Sequence, residues 1–342
     1  MALLSIRRNN AMQSKSGLIF LILVFLLSGE MNSTIAQQPS QCLAVITELN
    51  GDVLVKKADK NEYVKAYWGT QLIEGDLIKT SVRSQVKLLF SNSTLISLGP
   101  NSTISISGKE SPATEAIGDV KNISSAMMVN LSALTSKREN KKDISALAGL
   151  RSVNSEQSIE LTSPSNTFIK TDRPSFSWLG KKAFDNYTVN LYNSSGLVWS
   201  KKVSDCAMKY PDGEKGLEFG GSYFWYVEGE ELIDSDKSPD RKFSLLSLEE
   251  SKDVEEQEIV IKNTFEDEPE SSSLHSVLGA YYLTKGLLMD AIIEFQNISK
   301  INADAPMPHE ILGNLYSDVG NKDKAIEELQ KALALAKNNK DK

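Results

Sequence analysis

The order of apolar and polar residues divides the chain into β-type and helical parts. Between residues 42 and 107 the two types alternate, and Val86, Leu88 and Phe90 share one face of such a run. A period of two is typical of half-buried strands. The alternation returns between residues 159 and 245, whereas the spacing beyond residue 247 is helical. We therefore predict a multidomain protein that is all β in its N-terminal part and all α in its C-terminal part.

The first β segment, residues 42–107, consists of short strands separated by frequent turns, which predicts a small β-sandwich or barrel-like roll. Its framework residues are Gly51, Val53, Val55, Gly69, Leu72, Gly75, Asp76, Ile78, Thr80, Ser84, Val86, Leu88, Phe90, Leu95, Leu98, Pro100, Ile104 and Ile106. This pattern resembles the FecR domain, and the Gly75-Asp76 pair with Thr80 is its most specific part. The family's usual Asp-Gly-Ser turn is replaced by Asn92-Ser93-Thr94, which we expect to form the turn as well.

The resemblance implies a periplasmic or extracellular module. The segment before the apolar run Leu18–Leu27 is too short for a folded cytoplasmic anti-sigma segment, so we do not transfer the family's signalling role to this chain. Asp76 is either a ligand or catalytic acid, or a turn residue that bonds its own backbone, and the second role is the commoner one.

The second β segment, residues 157–246, follows an extension of the first domain at residues 108–156 that we expect to be partly mobile. Phe176 and Trp178 share one strand face, and Gly220–Val227 has the pattern of a long core strand. About ninety residues of strands around a tryptophan resemble an immunoglobulin-like or fibronectin-like sandwich. The aromatic residues form either a buried core or a polysaccharide platform, and their alternation favours the core.

The C-terminal segment, residues 272–339, contains the same pattern twice. The matched pairs are Leu278/Leu312, Gly279/Gly313, Tyr282/Tyr316, Gly286/Gly320, Ala291/Ala325, Phe295/Leu329 and Ile298/Ala332. Their constant spacing of about 34 residues resembles that of two tetratricopeptide repeats, each a pair of antiparallel helices. We expect Gly279 and Gly313 to allow close contact between the paired helices, and Gly286 and Gly320 to end the first helix of each pair.

The resemblance implies that the first helices form a concave face that binds protein partners. The expected partner-binding residues are Ser276, Ala280, Leu283, Glu310, Asn314 and Ser317. Two repeats are fewer than the three or so that a stable stack needs. We therefore expect either dimerisation or a cap formed by the acidic helix and linker at residues 247–271.

The N-terminal residues 1–36 have the order of a secretory signal peptide. Arg7, Arg8 and Lys15 precede the apolar run Leu18–Leu27, and Thr34-Ile35-Ala36 forms a cleavage-type sequence. We predict an exported protein, periplasmic or extracellular and in contact with the cell envelope. An uncleaved segment would instead make the chain a membrane-anchored FecR-type sensor.

Charge and motif content narrow the function further. The net charge is −7 and no basic patch is present, which argues against nucleic-acid binding. Cys42 and Cys206 offer no metal or redox spacing, and their pairing stays open. His275 and His309 occupy equivalent repeat positions, where helix-face packing or surface exposure explains them better than a shared metal. We therefore predict no catalytic residue, cofactor or metal.

The favoured function is a non-catalytic adaptor that binds protein partners or a second copy of itself. The alternative is a protein that binds envelope polysaccharide or peptidoglycan, or an enzyme that acts on them.

Overall fold

The computed structural model of the protein describes residues 41–108, 117–123, 159–180, 184–230 and 235–339. Within them, β-sheets precede a C-terminal region of five helices, which confirms the predicted order of β and α parts. The predicted signal peptide and most of the predicted extension at residues 108–156 lie outside the described residues. No described helix has the length and apolar content needed to cross a membrane.

The first β region contains two antiparallel sheets. Its strands are β1 (Ala44–Asn50), β2 (Val53–Lys56), β3 (Tyr63–Lys65), β4 (Gln71–Leu72), β5 (Leu77–Thr80), β6 (Gln85–Phe90), β7 (Thr94–Leu98), β8 (Thr103–Ser105) and β9 (Ile117–Asn122). One sheet has the order β4-β1-β6-β7-β9 and the other β3-β2-β5-β8. Alternate residues such as Ile46, Val55, Ile78 and Leu88 are buried between them. Strand β9 pairs with β7, so this region extends beyond the predicted boundary at residue 107.

Two turns in this region depend on side chains that the sequence singled out. Asn92 accepts a hydrogen bond from the Thr94 amide at 3.1 Å, and Ser93 adopts a positive φ of 65°. Asp76 is fully buried and accepts hydrogen bonds from the amides of Ile73 and Ala58, each at 3.0 Å. Because Asp76 also pairs with the Lys57 ammonium at 2.7 Å, its contacts are those of a structural turn residue.

The second β region has a core of its own. Its strands are β10 (Ile159–Ser163), β11 (Thr167–Ile169), β12 (Phe176–Gly180), β13 (Asn186–Asn193), β14 (Gly196–Val203), β15 (Ala207–Met208), β16 (Ser222–Glu230), β17 (Ser235–Lys237) and β18 (Arg241–Leu245). Strands β10, β12 and β15 form one sheet. The other has the order β11-β18-β16-β13-β14, with β17 paired to β16. Phe176, Trp178, Trp225 and Phe243 are buried together, as the alternation predicts.

The helical region begins directly after β18. Its helices are α1 (Leu248–Thr264), α2 (Ser272–Lys285), α3 (Leu288–Ile301), α4 (Pro306–Asp318) and α5 (Lys322–Asn338). Gly286 ends α2 with a φ of 70°, and Gly320 follows α4 with a φ of 85°, as predicted. A Cβ added at Gly279 would lie 3.1 Å from the Phe295 ring, so this glycine allows the close approach of α2 and α3.

The first β region and the helices share one hydrophobic core. Val45, Trp68 and Leu89 belong to the same buried cluster as residues of each of the helices α1 to α5. The cluster also contains Val254 and Ile261 of α1, so α1, the helix that was expected to form a cap, packs into the same core as α2. The core of the helical region is therefore completed by a β region from the opposite end of the described chain.

Candidate interaction site

Trp68 lies at the centre of the contact between the first β region and the helices. It follows β3 in a loop and is only 1% exposed. Its indole Nε1 donates a hydrogen bond to the Ser276 hydroxyl of α2 at 3.0 Å. Its ring meets Phe295 of α3 edge-on, with centroids 6.3 Å apart and planes at 80°. One side chain thus contacts both helices of the first hairpin.

The loop around Trp68 is shaped for this contact. Gly69 has a φ of 80°, and a Cβ at this position would lie 2.7 Å from Cγ of Met307. Beside the loop, the hydroxyls of Thr47 and Ser273 are hydrogen-bonded at 2.9 Å in a buried position. This pair satisfies two buried hydroxyls within the contact, as buried polar groups require.

The second β region contacts the helices at the turn between α2 and α3. The last carbonyls of a helix have no partner within the helix and need external donors. The Phe168 amide and the Thr167 hydroxyl donate to the Gly286 carbonyl at 3.0 and 3.2 Å. Thr167 Oγ1 also accepts from the Leu288 amide at 2.9 Å, which satisfies the start of α3.

The equivalent turn between α4 and α5 contacts the same β region. Ser165 donates from its hydroxyl to the Val319 carbonyl at 2.5 Å. Arg241 donates from Nη2 to the Gly320 carbonyl at 3.3 Å. Because Gly286 and Gly320 are matched positions of the two repeats, one β region holds the corresponding turns of both helical hairpins.

A largely buried charged group links the second β region to three helices. Lys170 forms ion pairs with Glu258 of α1 and, at 3.7 Å, with Asp290 of α3. Its ammonium lies 5.2 Å from the ring centroid of Tyr282 of α2. Burial raises the pKa of Asp290 although Lys170 opposes the shift. Because the carboxylates of Glu258 and Asp290 both pair with the Lys170 ammonium, this cluster joins the second β region to the helices.

Each helical hairpin contains the same histidine–glutamate pair. His275 Nδ1 lies 2.6 Å from Glu294 Oε2, and His309 Nδ1 lies 2.6 Å from Glu328 Oε2. Burial raises the pKa of Glu328, but its hydrogen bonds to His309 and Lys331 outweigh this effect and lower the pKa overall. These pairs were not predicted from the sequence, although the two glutamates also occupy matched repeat positions. No group of His, Cys, Asp and Glu in the described part of the chain is suited to hold a metal ion.

The structure divides the six predicted partner-binding residues into two groups. Ser276 and Ala280 are fully buried, and Leu283 is half-buried against the shared core. The residues of the second repeat are more accessible: Glu310 is exposed, and Asn314 and Ser317 are half-buried. At its first repeat, the predicted face therefore already contacts the Trp68 loop of the same chain, through Ser276.

The two cysteines are both free thiols in the structure. Cys42 is half-buried and donates to the Ala44 carbonyl at 3.3 Å, and burial raises the pKa of its thiol. Cys206 is exposed, and its Sγ lies 3.4 Å from the Tyr187 hydroxyl. The contacts between the β regions and the helices described above therefore involve no disulfide.

Comparison with known proteins adds little to this geometry. No family model matches the chain, and no curated protein matches it. A β-1,2-glucanase from Parabacteroides distasonis is similar with 11% identity and a TM-score of 0.22, over 54% of this chain and 34% of that one. A multi-domain immunophilin from Arabidopsis thaliana is similar with 10% identity and a TM-score of 0.20, over 52% of this chain and 97% of that one. These TM-scores are too low to support a shared fold.

Proposed function

We propose that this protein is an exported, non-catalytic scaffold. In it, tetratricopeptide-type hairpins hold a FecR-like module and an immunoglobulin-like or fibronectin-like module as one unit. The accessible part of the first-helix face then binds a protein partner at Glu310, Asn314 and Ser317. The observation that carries the proposal is the burial of Trp68 against Ser276 and Phe295.

The equivalent features of the two hairpins support the repeat interpretation. Gly279 lies against Phe295, and at the equivalent position Gly313 lies against Leu329. The left-handed glycines and the histidine–glutamate pairs recur at the same spacing. Features that recur in this way are expected of stacked helical repeats, in which each unit packs on its neighbour.

The use of the helices by both β regions supports the scaffold role. The first β region contacts Ser276 through Trp68, and the second holds the turns at Gly286 and Gly320. Surfaces that repeat proteins offer to partners are thus used within the chain. On the first-helix face, the accessible residues are Glu310, Asn314 and Ser317 of α4.

Partner binding is tested by affinity capture of the exported protein with paired variants. Asn314→Arg and Ser317→Arg place a large charged group on the proposed face, and Gln330→Arg places the same group on the exposed side of α5. We expect Gln330→Arg to recover the same partner as the unmodified protein, and the two face variants to lose it. Equal recovery of the partner by all three variants would refute binding at the proposed face. Substrate turnover that is lost when a single side chain is replaced would refute the non-catalytic role.

The scaffold role and export are tested separately. A fragment of residues 272–342 lacks α1 and the Trp68 loop, so we expect it to self-associate or to melt without cooperativity. A cooperative melt of a monomeric fragment would contradict the structural need for the β regions.

For export, we expect mass spectrometry of the secreted chain to find Gln37 as its first residue. A retained Met1 or Met12 would favour the anchored sensor.

A further inference from the structure

The outer face of the larger sheet in the second β region has an apolar row where polar residues are expected. An antiparallel sheet that buries one face usually presents polar side chains on the other. Strand register places Leu197 of β14, Tyr192 of β13 and Phe224 of β16 next to one another across three strands. Leu197 is 56% exposed and Phe224 is 38% exposed. Phe168 of the edge strand β11 is 45% exposed and lies opposite Ser244, on the same face.

The rings of this outer row are ordered against one another. Tyr192 stacks on Phe224, with centroids 5.4 Å apart and planes at 6°. Tyr192 also stacks on Tyr226, at 5.7 Å and 15°, and the two hydroxyls lie 3.2 Å apart. The Lys237 ammonium lies 3.5 Å from the ring centroid of Tyr226. The side chains therefore hold each other in place and present a pre-arranged surface.

The core does not explain these rings. The buried cluster of the second β region is formed by the alternate residues of the same strands, such as Leu191, Tyr223, Trp225 and Phe243. Tyr192, Phe224 and Tyr226 lie outside that cluster. Exposed apolar patches with a polar border commonly mark binding sites.

The size of the row argues against a second copy of the chain as its ligand. A fully buried aromatic side chain covers about 150–250 Å². Five part-exposed side chains therefore offer on the order of 400 Å², about half of what each partner buries in a standard protein interface. A narrow, chain-like ligand fits this surface better.

The border of the row favours a neutral sugar chain. The hydroxyls of Ser222 and Ser244 are hydrogen-bonded at 2.8 Å beside Phe224 and can exchange that bond for one to a ligand. Lys242 lies opposite Phe224 in the register, and Glu228 lies opposite Lys237, so positive and negative groups are both present. Pyranose rings have apolar C–H faces and hydroxyl edges that need both donors and acceptors. A strongly charged polymer would not match this mixed border.

We propose that Tyr192, Phe224 and Tyr226, with Leu197 and Phe168 at the ends of the row, form a binding surface for a neutral polysaccharide. The continuous apolar row crosses β14, β13 and β16, which is two strand spacings or about 10 Å. Phe168 lies on β11, beyond Lys242 and Ser244 of β18. It is independent of the helix face proposed above for a protein partner.

The test is affinity gel electrophoresis of the full exported chain with laminarin, xylan, mannan and dextran as neutral probes and alginate as an anionic probe. We expect at least one neutral probe to retard the protein. Phe224→Ser should weaken that binding by about tenfold, the effect of losing one stacked ring. Phe224→Tyr should retain it, because the ring is kept. Leu179→Ser is the matched control, since Leu179 is 48% exposed on β12 of the other sheet and should bind as the unmodified protein does.

Thermal melts of each variant separate a loss of binding from a loss of fold, and all of them should melt within a few degrees of the unmodified chain. The proposal is overturned if no neutral probe retards the protein, or if Leu179→Ser weakens binding as much as Phe224→Ser. It is also overturned if the unmodified protein binds a proline-rich peptide or a second copy of itself instead of a sugar, and if Phe224→Ser abolishes that binding.

Discussion

Replacing Trp68 tests the contact on which the proposed scaffold depends. The side chain is 1% exposed and lies between α2 and α3. An aromatic side chain of this size buries about 150–250 Å², which at about 25 cal/mol per Å² corresponds to roughly 4–6 kcal/mol. Measured Trp→Ala changes in cores cost about 3–5 kcal/mol. We expect Trp68→Ala to lower the free energy of unfolding by about 4 kcal/mol.

Trp68→Phe separates the packing from the hydrogen bond. Phenylalanine keeps most of the ring contact but removes the Nε1 donor to Ser276. Ser276 still donates to the Ser272 carbonyl at 2.6 Å, so its hydroxyl is not left without a partner. The expected loss is about 1–2 kcal/mol, and a double-mutant cycle with Ser276→Ala should give a coupling energy of about 1 kcal/mol.

The assay is urea unfolding followed in parallel by circular dichroism in the far ultraviolet, which reports mainly the helices, and by hydrogen exchange of the β1 and β6 amides. Tryptophan fluorescence is not suitable, because the tryptophans that remain in Trp68→Ala, namely Trp178, Trp199 and Trp225, all lie in the second β region. In the unmodified protein we expect the helices to unfold together with the first β region, because the two share one core. Trp68→Ala should split the helical transition from the β transition. A change below about 1 kcal/mol with the transitions unchanged would refute the docking of the Trp68 loop on the helices.

Three further predictions concern stability. Gly69→Ala forces a positive φ on a side chain and sets its Cβ against Met307, so it should cost about 2 kcal/mol in urea unfolding, whereas Gly99→Ala, which has open space, should change little. Asp76→Asn leaves three donors with one acceptor oxygen and should cost about 3 kcal/mol, and a loss below about 0.5 kcal/mol in the same urea assay would contradict the assigned contacts. Glu328→Gln should lower the melting temperature at neutral pH. Because the folded pKa of Glu328 is lowered from 4.5, its stabilisation is present above that value and is lost as the pH falls through the folded pKa. The difference in melting temperature should therefore close in acid, and a difference that persists well below the folded pKa would exclude the charged interaction.

Local patterns determined the elements well. The alternation at Val86, Leu88 and Phe90 follows the period of the pleat, and these side chains are buried. The left-handed ends at Gly286 and Gly320 follow from the absence of a Cβ at both positions. The six residues on the first-helix face were predicted from the resemblance to tetratricopeptide repeats that the repeat spacing supports.

The sequence by itself thus determined the order of β and helical parts and the positions of the turns, because each depends on neighbours within a short stretch of chain. The candidate face on the first helices stays a prediction. Only the tertiary structure decided what occupies that face. Trp68 and Ser276 are far apart in the chain, and a local sequence pattern cannot predict which distant residues a buried indole contacts. The same reason explains the outer row of rings: the sequence placed Tyr192 and Phe224 on strands, but strand register brought them into contact on the open side of the sheet.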